Sequence, residues 1–302
     1  MRFATAADAQ VTGAKGMDAN AASAKRRTRR AQDARPRGKT SLGGKIFLTV
    51  VALYLLIPFL ATLVYSLFVE WTDILPSGFT LRNYQELFTN TVFWASIGRT
   101  LVLCLVSVAI TIVLILLAMY VIVAVNRKFA SAMQFLCMIP YALQGVILSI
   151  GIISLYTGTG TILSNRMFML FGAYTILVLP YIYQGIRNAL NAIDAEMLIQ
   201  AAEMLGCGRF RAYVQVVLPN ILSGVLVSSL LAESIIFGDF VLANNIAGTN
   251  YQNIQVFLQA NMDVSSGLSS AIVVVIFVVV ALVTALVLKL QSASTHTDKE
   301  AA

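Results

Sequence analysis

Residues 97–125 read IGRTLVLCLVSVAITIVLILLAMYVIVAV, and this stretch decides the fold. Its one charge, Arg99, stands near the start, and no proline interrupts the 26 residues from Thr100 to Val125. An α-helix rises 1.5 Å per residue, so about 20 apolar residues cross the ~30 Å hydrocarbon core of a bilayer. Outward from it, five stretches of similar character lie at 46–69, 132–156, 168–187, 221–243 and 268–290. They are continuous rather than alternating, so they read as helices and not as the ten-residue strands of a membrane barrel. The expected fold is all-α: a polytopic membrane protein with about six transmembrane helices.

Composition points the same way. Of 302 residues 58% are apolar and 12% charged, whereas a soluble domain carries about 25% charged residues. The net charge of +7 does not read as a nucleic-acid surface, because eleven of the 21 Lys and Arg precede or open the first apolar run. Residues 1–44, rich in Ala, Arg and Lys, read as a disordered basic tail that cannot bury enough apolar surface to offset its ordering entropy. Its run Lys25-Arg26-Arg27-Thr28-Arg29-Arg30 fits a topology-setting segment that touches anionic lipid. The apolar run behind it is too long for a signal-peptide core. Gly38-Lys39-Thr40 imitates the end of a phosphate loop, but Asp33 stands where the earlier glycine belongs and a span comes after it instead of a soluble fold.

Orientation follows from the asymmetry of basic residues across the spans. With the N-terminus inside, the inner segments hold 18 Lys and Arg and the outer ones three, Arg82, Arg99 and Arg166. Both termini are then cytoplasmic, and 291–302 is a second, short cytoplasmic tail. Trp71 and Trp94 fall at the outer ends of the first two spans. Pro58, Pro140 and Pro180 lie within spans and bend them; the bends fit either ordinary membrane-helix kinks or gating hinges. Cys104, Cys137 and Cys207 have no metal-like spacing, so no metal site is expected. The one histidine, His296, lies in the polar tail, and no paired carboxylates stand close in sequence. Catalysis by this chain is not expected.

The inner loop 188–220 reads NALNAIDAEMLIQAAEMLGCGRFRAYVQVVLPN. Asp194 suits a helix N-cap and Glu196 its first turn. Met197, Leu198, Ile199, Ala201, Ala202 and Leu205 form a broad apolar face, and Gly206 and Gly208 end the helix. A second amphipathic stretch, Phe210 to Val217, leads to Leu218-Pro219 at the opening of the fifth span. Such a loop fits either a helix lying on the membrane surface or a knob that docks into a cytoplasmic partner. The near absence of long basic side chains between 188 and 208 favours the knob.

Within that loop, QAAEMLGCGRFRAYVQVVLP resembles the signature of binding-protein-dependent ABC importer permeases: EAA, three residues, G, nine residues, I-x-LP. Gln200, Ala201, Ala202, Gly206, Val216, Leu218 and Pro219 occupy its positions with the spacing intact; Gln200 replaces the glutamate and Val216 the isoleucine. Asn83-Tyr84 with Phe88, Ile139-Pro140-Tyr141 with Gly145 and Gly151, and Phe237-Gly238-Asp239-Phe240-Val241 resemble segments of the spermidine/putrescine-type subgroup. The likeness covers roughly residues 45–290.

The resemblance implies a type I ABC importer (MetI-like) permease domain at 45–290, in a bacterial inner membrane, with 188–220 as the loop that couples to an ATPase. Gln200, Ala201, Ala202, Glu203, Leu205, Gly206, Val216, Leu218 and Pro219 are its coupling residues. Partners implied are ATP-binding cassette subunits, which would bind ATP and Mg in place of any cofactor here, a second permease subunit of paralogous sequence, a periplasmic solute-binding protein and membrane lipid, but no nucleic acid. The outer stretch Tyr251 to Met262, with Ile254, Phe257, Leu258 and Met262 at helical spacing, fits a surface helix under that binding protein or a mere cap on the bundle. The substrate implied is a small solute, polyamine-like or related, such as aminoethylphosphonate or ferric ion. Acids inside spans usually face a cavity, so Glu233 and Asp239 are pathway candidates, Glu233 with the equal alternative of structural pairing and Asp239 with that of capping a helix end or sitting at the interface. The rival reading is an ion-coupled secondary transporter with Glu233 as its ion site.

Overall fold

The computed structural model describes residues 42–70, 77–143, 145–158, 160, 164–262 and 264–300, with side chains to 289. The basic run at 25–30, the false phosphate loop, Trp71 and the His296 side chain lie outside the described residues.

In chain order, α1 is Leu42–Ser66, followed by strands β1, Phe68–Glu70, and β2, Ser77–Phe79, paired antiparallel with Phe68 opposite Phe79. Next come α2, Arg82–Thr89; α3, Thr91–Tyr120, which ends in a π turn at Val121–Val125; α4, Phe129–Ala142; and α5, Gly145–Tyr156. The remainder are α6, Arg166–Ala192; α7, Ala195–Met204; α8, Arg209–Ala212; α9, Leu218–Gly238; α10, Val241–Ile246; α11, Ile254–Met262; and α12, Ser266–Glu300. Five helical stretches among the described residues are long and apolar enough to cross a membrane: Gly43–Ser66, Thr91–Ala124, Arg166–Ala192, Arg209–Gly238 and Ser266–Lys289. The bent pair α4 and α5 makes six if counted as one.

Three details correct the sequence reading. The stretch 132–156 is not one gently kinked span: α4 and α5 meet at 101°. Pro140 sits inside α4, and the helix ends at Leu143, which is extended at φ −92° and ψ 90°. Both arms are apolar, so hydropathy is blind to the change of direction. The fifth stretch does not run unbroken to 243, because α9 stops at Gly238 and Asp239 is extended. Finally, although Pro219 stands in the first turn of α9, as the sequence predicts, the helical run begins before it. Arg209–Gly238 is one 30-residue helix, and Pro219 follows a π turn at Tyr213–Val217. Proline has no N–H to give the carbonyl four residues back, and the wider π turn stands just where that carbonyl lies.

The described residues divide into two compact units, one up to Phe59 and one from Leu60 onward. In the second unit the core lies between α3, α6 and α9, with Leu103, Ile115, Leu170, Tyr174, Ile182, Ile186, Ile221 and Ile236 almost wholly buried. The α6–α9 seam depends on small residues. A Cβ added at Gly185 would stand 2.2 Å from the Ser228 Cβ, and one at Gly224 2.5 Å from the Ala189 Cβ. Gly185/Ala189 and Gly224/Ser228 are pairs four apart, each on one face of its helix, and they let the two backbones approach.

Polar groups inside the unit satisfy chain ends. Thr100 donates to the Ser96 carbonyl at 2.8 Å and accepts the Ile254 N–H at 2.9 Å, so a buried hydroxyl on α3 serves the otherwise free first donor of α11. Ile254 and Phe257 turn inward, the latter against Phe93 at 5.8 Å between ring centres, while Met262 stays exposed. Asn83 donates to the carbonyls of Ser66 and Phe68, and the Tyr84 hydroxyl lies 2.7 Å from that of Ser66. The Asn-Tyr pair of α2 thus fastens the end of α1 to the hairpin.

Candidate functional site

The loop between α6 and α9 folds as a helix, a glycine turn and a second helix. Asp194 stands at the N-cap position of α7, though in a left-handed conformation (φ 49°) and with no capping bond from its side chain. At the other end the Gly206 N–H bonds the Glu203 carbonyl at 2.9 Å and the Cys207 N–H bonds the Ala202 carbonyl at 3.0 Å. That pair closes a Schellman turn, which needs a left-handed residue, and Gly206 supplies it at φ 82°.

The apolar face expected of α7 is in fact two faces. Ala195 and Ile199 are buried, with Leu198 and Ala202 half-covered beside them. Met197, Gln200, Ala201 and Gly206 are exposed, and the tip residues Met204 and Leu205 are 88% and 89% exposed. Glu203 is half-buried, as are Val216 and Leu218, while Pro219 is exposed.

The inward side is held by polar bonds that stop at the rim of the knob. Arg209 binds the Glu203 carboxylate through Nε and donates from Nη1 to the Ala124 carbonyl at 3.0 Å. A guanidinium there suits the end of α3, where carbonyls lack intrahelical donors and the helix dipole favours positive charge. The Tyr213 hydroxyl reaches the Leu116 carbonyl at 3.0 Å, and the Tyr120 ring lies between those of Phe210 and Tyr213. Arg127 and Glu196 form a second, exposed ion pair at 2.8 Å. The outcome is a rigid base with an uncovered apolar tip.

The two span acids differ in their surroundings. Asp239 accepts the Tyr174 hydroxyl at 3.1 Å and the Leu242 N–H at 3.0 Å, joining α6 to the break between α9 and α10. Carbonyls freed by that break are met by side chains: Gln255 donates to Phe237 at 2.7 Å and Asn253 to Asp239 at 3.5 Å. Glu233 is half-buried and has no hydrogen-bond or ion-pair partner among the described residues. The structure does not bring the two carboxylates to one site. Among the described residues no cluster of His, Cys, Asp and Glu could hold a metal ion.

Sequence reasoning passed over Arg209 and Tyr213 as anchors and the Gly185/Gly224 seam. The seam has a readable signal in small residues four apart on two successive spans; the anchors have none, since their acceptors are backbone atoms about 85 and 97 positions away.

Long apolar helices round a small-residue seam, with a clamped knob projecting from one end, define a multi-pass membrane protein. The chain belongs to the family of binding-protein-dependent transport system inner membrane components, whose profile matches residues 115–295. It is thus a multi-pass permease subunit of an ABC importer. It is similar to the spermidine/putrescine transport system permease protein PotC of Haemophilus influenzae, 27% identical over 209 residues, which cover 68% of this chain and 79% of that protein. PotC of Escherichia coli K12 is 24% identical over 71% of this chain and 80% of its own length. The putative 2-aminoethylphosphonate transport system permease protein PhnV of Salmonella typhimurium is 21% identical over 68% and 76%.

Proposed function

We propose that this chain forms, with a second permease subunit of paralogous sequence, the pathway of an ATP-driven importer for a small cationic or zwitterionic solute of the polyamine or aminophosphonate type. The observation that carries the reading is the α7 tip. Met204 and Leu205 are held outward by a turn and a clamp that leave them uncovered. Burying each fully is worth about 1.5–3 kcal/mol, which a groove on an ATPase subunit would supply. ATP and Mg belong to that partner. Residues 45–290 are the permease domain, 188–220 its coupling loop, and the tails 1–44 and 291–302 are both cytoplasmic. A periplasmic binding protein delivers the solute from the far side.

Binding protein and nucleotide each favour one arrangement of the spans, and transport is the alternation between them. Glu233, half-buried and without a hydrogen-bond or ion-pair partner among the described residues, is the carboxylate that faces the pathway; Asp239 instead fixes the break after α9. The solutes for which the relatives are named, spermidine/putrescine and 2-aminoethylphosphonate, support the solute class.

The test is reconstitution of this chain with its partner subunits and binding protein in vesicles, followed by uptake of radiolabelled putrescine, spermidine or 2-aminoethylphosphonate. Uptake of one of them that needs ATP and the binding protein is expected. Uptake by this chain alone, driven by a proton or sodium gradient and lost in Glu233→Gln, would replace the importer reading with an ion-coupled transporter.

A further inference from the structure

Beneath the start of α7 lies a cavity of about 310 Å³ with both polar and apolar walls. Four charged residues line it: Arg127, Arg187, Asp194 and Glu196. Arg127 and Glu196 are committed to each other at 2.8 Å. Arg187 and Asp194 are not: among the described residues neither has an ion-pair partner, and Arg187 lies over the Tyr183 ring, 5.9 Å from its centre. Asp194 is the one described non-glycine residue with a positive φ. Arg187, near the end of α6, and Asp194, at the start of α7, therefore line the same space as a cation and an anion without ion-pair partners among the described residues.

A second observation says what kind of molecule would fill it. The cavity shares one wall residue, Ile122, with a groove of about 580 Å³ between α3 and α4. That groove is apolar throughout, with Phe129, Phe135, Leu136 and Ile139 exposed along it. From Phe129 to Ile139 it runs roughly 15 Å along α4, about half the ~30 Å hydrocarbon core and so the depth of one leaflet. An apolar channel one leaflet deep, beside a pocket lined by an arginine and an aspartate with no ion-pair partner among the described residues, has the shape and charge order of a zwitterionic phospholipid.

The geometry points to a phospholipid site of the phosphoethanolamine class: an acyl chain in the α3–α4 groove, the phosphate on Arg187 and the ammonium on Asp194. Basic pockets between spans at the membrane surface commonly hold lipid headgroups; here the added carboxylate selects a headgroup that also carries a primary ammonium. Because Asp194 opens α7, an occupied site braces the base of the knob. The inference needs only that the chain spans a membrane, and it stands apart from the choice of solute or ATPase.

The experiment is native mass spectrometry of the purified full chain in detergent, titrated with phosphatidylethanolamine, phosphatidylglycerol and phosphatidylcholine, with thermal unfolding as a control for folding. Phosphatidylethanolamine is expected to bind tightest. Arg187→Gln should weaken it about tenfold or more, the usual scale for losing a charge-assisted bond. Asp194→Asn, which tolerates the left-handed conformation, should abolish the preference over phosphatidylglycerol without lowering the unfolding midpoint. Leu136→Trp, at an exposed position in the groove, should reduce retention of every phospholipid. Glycerophosphoethanolamine, which has the headgroup but no chains, should fail to compete at equal concentration. Phosphatidylglycerol binding as tightly as phosphatidylethanolamine would overturn the assignment, as would unchanged lipid binding in Arg187→Gln and Leu136→Trp, or full competition by the chainless headgroup.

Discussion

The α6–α9 seam and the α7 knob stand side by side in the chain, and both present small residues on a helix face. In the seam, Gly185 and Gly224 meet Ser228 and Ala189 so closely that no Cβ fits. On the knob, Ala201 faces outward and, chain neighbours aside, no atom of the described residues lies within 4 Å of a Cβ built at Gly206. The same residue type therefore serves close packing already made within the chain in one region and an uncovered surface in the other. The difference teaches that smallness marks a close approach but not the identity of the approaching surface. A substitution that adds bulk should harm folding at the seam and partner binding at the knob.

The contrast can be broken by measurement. The largest effect is expected at the seam: Gly185→Leu should abolish recovery of folded protein, and Gly185→Ala should destabilise by about 1–3 kcal/mol, the usual range for overpacking, read as a fall in the unfolding midpoint in detergent. Next, Asp239→Ala leaves the buried Tyr174 hydroxyl without its partner, a loss of about 1–3 kcal/mol, which Tyr174→Phe in the same chain should largely relieve. Gly206→Ala meets no atom but is strained at φ 82°, so about 1–2 kcal/mol is expected. That strain acts on the α7 turn and should appear as faster amide exchange at Gly206 and Cys207 rather than in the spans. The smallest effect belongs to Arg127→Ala: its pair with Glu196 is exposed, and such pairs contribute about 0–1 kcal/mol and fade with salt. A larger, salt-independent change would mean that the base of the knob carries more of the fold than its packing implies.

Much of the architecture is legible in the sequence, for a physical reason. Spanning length is a local property, so 97–125 or 268–290 declares itself without knowledge of its neighbours. The α7 helix and its stop are local too, written in Glu196 and in Gly206. The features that escape are set by tertiary contacts. The turn between α4 and α5 joins two apolar arms, and the stop after Gly238 depends on Tyr174, Asn253 and Gln255 far away in sequence. The three-residue strands β1 and β2 are too short to show an alternation. On α7 the composition announces an apolar face; only the neighbours decide that Ile199 turns inward and Leu205 outward.

The central claim is that the α7 tip docks a separate ATPase subunit. It is tested most directly by purifying the native chain and its Leu205→Asp variant in mild detergent and quantifying the accompanying proteins by mass spectrometry. Leu205 is almost wholly exposed, so the variant should fold with an unchanged unfolding midpoint. The account predicts an ATP-binding subunit with the native chain and at least a tenfold loss of it with the variant. Equal recovery with both, or no ATP-binding subunit with the native chain, would contradict it.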